Sequence, residues 1–184
     1  MTASEVSERY GRVADGFGAH LSGVTPDQWS QPTPCSEWNV SDLVVHVITT
    51  HRRIIATLDE SQAAEVDSGG NLVAQWSDAC TAVKTALADS VRASQMVSGM
   101  FGEQSFESLV SRLLCADTLF HTWDIARATG QDDHLDTEAV VKAMEFLEPM
   151  DEAIRRPGGF APKIEPPADA DSQTRLLNFG GRAV

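Results

Sequence analysis

Residues 113–130 read LLCADTLFHTWDIARATG and concentrate the side chains best able to do chemistry in this chain. Apolar residues recur at Phe106, Leu109, Val110, Leu113, Leu114, Ile125 and Ala128, the three-and-four spacing of an amphipathic helix. At about 100° per residue, Asp117, His121 and Asp124 fall in the middle of that stripe. Two carboxylates and an imidazole therefore stand where the pattern asks for Leu or Val. Ionised groups are seldom buried unless they are paired or bound to a metal. Asp117 and His121 are four residues apart, so their side chains meet on one face, as two ligands on one helix do. The same spacing suits a plain hydrogen-bonded Asp–His core pair or a pair lining a wet crevice, and spacing alone does not choose. Cys115 adds nothing to the set, because it projects roughly 160° away from Asp117 on the wheel.

These residues need helices to hold them. A first stripe, Val6, Tyr10, Val13, Phe17 and Leu21, predicts a helix over 4–22. The stretch 24–38 holds Pro26, Pro32 and Pro34, which forbid a continuous helix. Asn39 or Ser41 then caps a second helix over 41–60, with Val44, Val47, Ile48, Ile54, Ile55 and Leu58 inward. His51 lies near the centre of that face and His46 at its edge, so the pattern alone favours His51 as the buried histidine. A third helix spans 71–89, with Leu72, Val73, Trp76, Ala79, Cys80, Val83 and Leu87 inward. VSGMFGEQ, at 97–104, reads as a turn between two short extended pieces. The organising helix covers 105–129, capped by Ser105 and closed by Gly130. A fifth helix, 136–148, has Val140, Val141, Met144 and Leu147 inward and is stopped or kinked at Pro149. The remainder is extended and polar until a short apolar piece, Leu176, Leu177 and Phe179.

The expected fold is therefore all-α: a four-helix bundle with an additional C-terminal helix and an extended tail. One domain over 1–184 is expected, the bundle over 1–156 and the tail over 157–184 packing on it. A net charge of −13 argues against nucleic acid or an anionic membrane as partner. The absence of a signal-type apolar core and of a membrane-length apolar run leads to an expectation of a cytoplasmic protein. Three scattered cysteines, Cys35, Cys80 and Cys115, fit reduced thiols. There is no glycine-rich phosphate loop, nucleophile elbow or Cys-x-x-Cys.

TPCSEWNVSDLVVHV, at 33–47, and FHTWDIARATG, at 120–130, together resemble the mycothiol-dependent maleylpyruvate isomerase metal-binding domain family of actinobacteria. The tail GFAPKIEPPADADSQTRLLNFGGR, at 159–182, is similar to the C-terminal segment of the same proteins. The resemblance implies a four-helix bundle of the DinB/YfiT-like type. It also implies a metal held by a histidine of the second helix and a Glu-x-x-x-His pair further on. Carried over, the first histidine matches His46 and the last His121. The glutamate position holds Asp117, one methylene shorter, which can loosen the site, shift the metal or remove it. Because the Trp38-to-His46 spacing matches the family, the resemblance favours His46 where the pattern alone favours His51. Thr50, Arg53 and Thr57 share the side of His46, as cleft-lining residues or simply as a solvated face. Asp124 could orient a ligand from behind, or pair with Arg127 or Arg53.

Two histidines and a carboxylate leave a coordination position open, as catalytic zinc sites do. A metal there lowers the pKa of a bound water or thiol. The resemblance implies the thiol version, with mycothiol as co-substrate attacking a small electrophile. Zinc is expected first, while nickel, iron and manganese suit the same donors. Three readings stand: a metal-dependent thiol transferase or isomerase, a metal-dependent hydrolase using water, and a non-enzymatic binding bundle whose site has decayed. The expected assembly is a monomer or homodimer.

Overall fold

The computed structural model of the chain describes residues 3–36, 38–99, 102–155 and 160–184. The helices are α1 (Ala3–Ser22), α2 (Val40–Leu58), α3 (Leu72–Ala88), the short α4 (Ser90–Ser94), α5 (Phe106–Leu109), α6 (Cys115–Thr129), α7 (Thr137–Leu147), α8 (Asp151–Ile154) and α9 (Ser172–Phe179). Two strands, β1 (Met96–Gly99) and β2 (Gly102–Ser105), form an antiparallel hairpin in which Met96 faces Ser105 and Gly99 faces Gly102. The two extended pieces thus exist. The turn residues between them, 100–101, and the boundary at 156/157 lie outside the described residues.

The fold is the all-α bundle expected of a DinB-like chain, with this small hairpin added. α1 packs on α3 and α6, and α2 packs on the same two helices from the other side. The polar residues that begin the helices act as caps. Asn39 forms a reciprocal capping box with Asp42, and Asn71, Ser105 and Asp136 each accept a backbone N–H two or three residues into their helix. Gly130, at φ 69°, closes α6 in the left-handed region that a side chain disfavours.

The organising helix departs from the straight wheel. Between α5 and α6, residues Val110–Leu114 form one π-helical turn, with the Cys115 N–H bonded to the Val110 carbonyl. A π turn inserts one extra residue, which rotates everything after it by roughly 100°. Asp117, His121 and Asp124 therefore do not continue the stripe begun by Phe106 and Leu109. Instead α6 is buried nearly all round, because it has neighbours on every side. Cys115 and Ile125 belong to the bundle core, whereas Leu119, Phe120 and Trp123 join a second cluster with α7 and α9. Such a helix must satisfy its polar groups internally.

Smaller expectations also shift. The apolar tail piece is a helix, α9, seated on α7. Val73 and Val141, read as inward, are exposed. Val73 lies in the first turn of α3, and Val141 is one residue, about 100°, off the face carrying Ala139, Val140, Ala143 and Leu147.

Candidate metal centre

The capping box at Asn39 fixes where α2 begins, and two turns later α2 presents His46 to α6. His46 Nε2 lies 3.1 Å from Asp117 Oδ1, and His121 Nε2 lies 3.6 Å from the same oxygen. One donor atom each from His46, Asp117 and His121 falls within 4.8 Å of the other two. Side-chain exposure falls from 33% at His46 through 16% at Asp117 to 8% at His121, so the group opens on the His46 side. The Trp38 ring stacks at 4.5 Å from the His46 ring and stands 5.7 Å from the His121 ring. It roofs both imidazoles.

Behind His121, Asp124 is fully buried. Its Oδ2 lies 3.0 Å from His121 Nδ1 and 2.8 Å from Arg182 Nη2. Burial alone raises the Asp124 carboxyl, but hydrogen bonds from His121 and Arg182 outweigh it and hold the group below the usual carboxylate range. An ionised carboxylate only accepts, so His121 Nδ1 carries the hydrogen and Nε2 is the ring nitrogen turned toward Asp117. Nε2 lies 3.6 Å from Asp117 Oδ1, a distance too long for a hydrogen bond.

Burial also raises Asp117, and the neighbouring His121 and His46 outweigh it, so Asp117 too stays ionised. Its second oxygen, Oδ2, is buried without a hydrogen-bond partner. A buried anion with one orphaned oxygen, facing two imidazoles, is a donor set that a divalent cation completes. The residues present fit such an ion.

His51 is not part of this set. It is fully buried in the core, its Nδ1 donating to the Val47 carbonyl at 2.8 Å, with Trp76 packed edge-on at 4.7 Å. Burial pushes its pKa down to about 4. Thr50, on the same helix as His46, is half-buried and Arg53 exposed. Arg127 pairs with Asp133 rather than Asp124. The cation paired with Asp124 is Arg182, which no local pattern in the sequence singles out. Another neighbouring donor set, Asp132, Asp133 and His134, sits in the loop after α6, with Asp132 and His134 largely in solvent.

A helical bundle that gathers two histidines and a carboxylate from α2 and α6 has the make-up of a metal-binding bundle protein. The mycothiol maleylpyruvate isomerase N-terminal domain model matches residues 10–126, and the chain belongs to that family. Two uncharacterized proteins of Mycobacterium tuberculosis, from strains CDC 1551 and H37Rv, are each 33% identical to it over 182 residues. The match covers 94% of this chain and 95% of each relative. No solved structure gives a significant match. Among the described residues, no helix is long and apolar enough to cross a membrane.

Proposed function

We propose that the chain is a metal-dependent enzyme of the thiol transferase or isomerase type, with His46, Asp117 and His121 holding a divalent ion. The observation that carries this reading is the convergence of His46 Nε2 and His121 Nε2 on an ionised, buried Asp117 whose second oxygen has no hydrogen-bond partner. Zinc suits the donors, and the family points to mycothiol as the thiol. Bound there, the ion would lower the pKa of a thiol and supply a nucleophile at neutral pH.

The protein's own residues do the rest. Asp117 is ionised at neutral pH and ready to ligate without first losing a proton. Asp124 keeps the His121 hydrogen on Nδ1 and so directs Nε2 to the ion. Trp38 shields the imidazoles from water on one side, and the half-buried His46 marks the side on which a small electrophile approaches.

The test is metal content after purification without added metal, followed by turnover of a generic electrophile with and without a low-molecular-weight thiol. Near-stoichiometric metal with thiol-dependent turnover is expected. Stoichiometric metal with water-driven cleavage and no thiol requirement would favour a hydrolase. Protein that takes up no added zinc would overturn the reading, in favour of a binding bundle whose aspartate no longer reaches a metal.

A further inference from the structure

Arg182 lies beyond α9 and 58 residues from Asp124 in sequence, yet it is bonded to that buried carboxylate through two nitrogens. Nη2 donates to Oδ2 at 2.8 Å and Nε lies 3.3 Å from Oδ1. The remaining nitrogen, Nη1, donates to the Gly180 carbonyl at 2.8 Å, and the guanidinium stacks over the Phe120 ring at 4.9 Å. Its side chain is only 11% exposed.

The chain around it is shaped for this placement. Gly180 abuts Phe120 so closely that any side chain there would collide with the ring. Gly181 has φ +80°, which turns the chain back toward α6, and a Cβ there would meet Ala161 at 2.7 Å. The Arg182 N–H donates to the Leu177 carbonyl, and its own carbonyl accepts from Asn178 Nδ2. Phe120, under the guanidinium, is the residue preceding His121.

We infer that Arg182 is a positioning residue of the metal centre: it locks Asp124, and through Asp124 fixes the ring orientation and Nδ1–H form of His121, so that the segment following α9 sets the affinity of a site built on α2 and α6. This rests on the metal reading above. Partners behind a metal-ligating histidine commonly change metal affinity by about 10–100-fold. The guanidinium supplies two donors, Nη2 and Nε, one to each carboxylate oxygen, which a point charge cannot reproduce.

The test compares the full chain with Arg182→Met, Arg182→Lys and Arg155→Met. Arg155 tethers the same tail, donating to the Phe179 carbonyl at 2.9 Å and stacking over the Phe179 ring, but it does not touch Asp124. Each protein is titrated with zinc against a competing chelator. Separately, the metal-free protein is examined by nitrogen-15 NMR of the histidine rings at one fixed pH. Arg182→Met is expected to lose about 10–100-fold in zinc affinity and to show a His121 ring no longer held in the Nδ1–H form. Arg182→Lys should recover part of both. Arg155→Met should melt earlier yet keep wild-type zinc affinity and ring signature. The inference is overturned if Arg182→Met stays within about twofold of wild type with an unchanged ring, or if Arg155→Met costs as much zinc affinity as Arg182→Met. Should the wild-type chain bind no zinc, the metal reading fails, and the ring signature alone decides whether Arg182 fixes His121.

Discussion

Asp124 lies one helical turn beyond His121 and accepts a hydrogen bond from its Nδ1–H at 3.0 Å, which leaves Nε2 to face Asp117. The orientation of the innermost candidate ligand is thus decided on its far side, by a group that never meets solvent. If a cation completes this arrangement, zinc at about 100 times its dissociation constant should add about 2.7 kcal/mol of stability, or roughly 5–10 °C in melting temperature for a chain of this length. A chelator should remove the gain, and His121→Ala should make the melting curve indifferent to both reagents. Thermal melts with and without zinc measure this directly.

Replacing Asp117 by Asn keeps the shape and removes the charge. Metal content by elemental analysis should fall to background, since a neutral amide is a poor partner for a divalent ion between two imidazoles. His51→Phe should leave metal content unchanged, because His51 sits in the core against Trp76 and outside the donor cluster.

His51 also makes the fold sensitive to acid. Its folded pKa of about 4 lies below the roughly 6.5 of an unfolded histidine. Between those values the unfolded chain binds the extra proton, so stability is fully present above about pH 6.5 and declines as pH falls toward 4. The loss is on the order of 3 kcal/mol, at about 1.4 kcal/mol per pH unit. Urea midpoints taken across this range should fall more steeply for the wild type than for His51→Phe. Parallel curves would refute the assignment.

All three cysteines are unbridged. Denatured without reductant, the chain should titrate as three thiols. In the native protein Cys35, which is half-buried in the loop before α2, should react first. Burial pushes Cys115 up to about 11 and raises Cys80 as well, so both should wait for unfolding. Time-resolved labelling with a thiol reagent distinguishes the classes.

The start of α2 offers a control away from the cluster. Asn39→Ala breaks both halves of the capping box and should cost about 1 kcal/mol in equilibrium unfolding, with metal content retained. Loss of metal along with stability would mean that the cap, beyond starting the helix, holds His46 in place.

Much of this protein follows from local rules written along the chain. The apolar periodicity of α1, α2 and α3, the caps at Asn39, Asn71 and Ser105, and the left-handed Gly130 depend on neighbours a few residues away. Asp117 and His121 were legible for the same reason, being four residues apart on one helix. The burial of His51 was equally plain from its place on the stripe of α2. Periodicity reports which residues are inward, but not what they meet there. Periodicity favours His51, and it is the packing of α2 against α6 that stands the half-buried His46 beside Asp117, as the family resemblance implies. The π turn at 110–114 rotates α6 away from the register a uniform wheel assigns, and no composition signal marks it. Arg182 is the furthest from view: its bond to Asp124 spans 58 residues and depends on α9 docking on α7, in the cluster shared with α6, a long-range closure that no local pattern encodes.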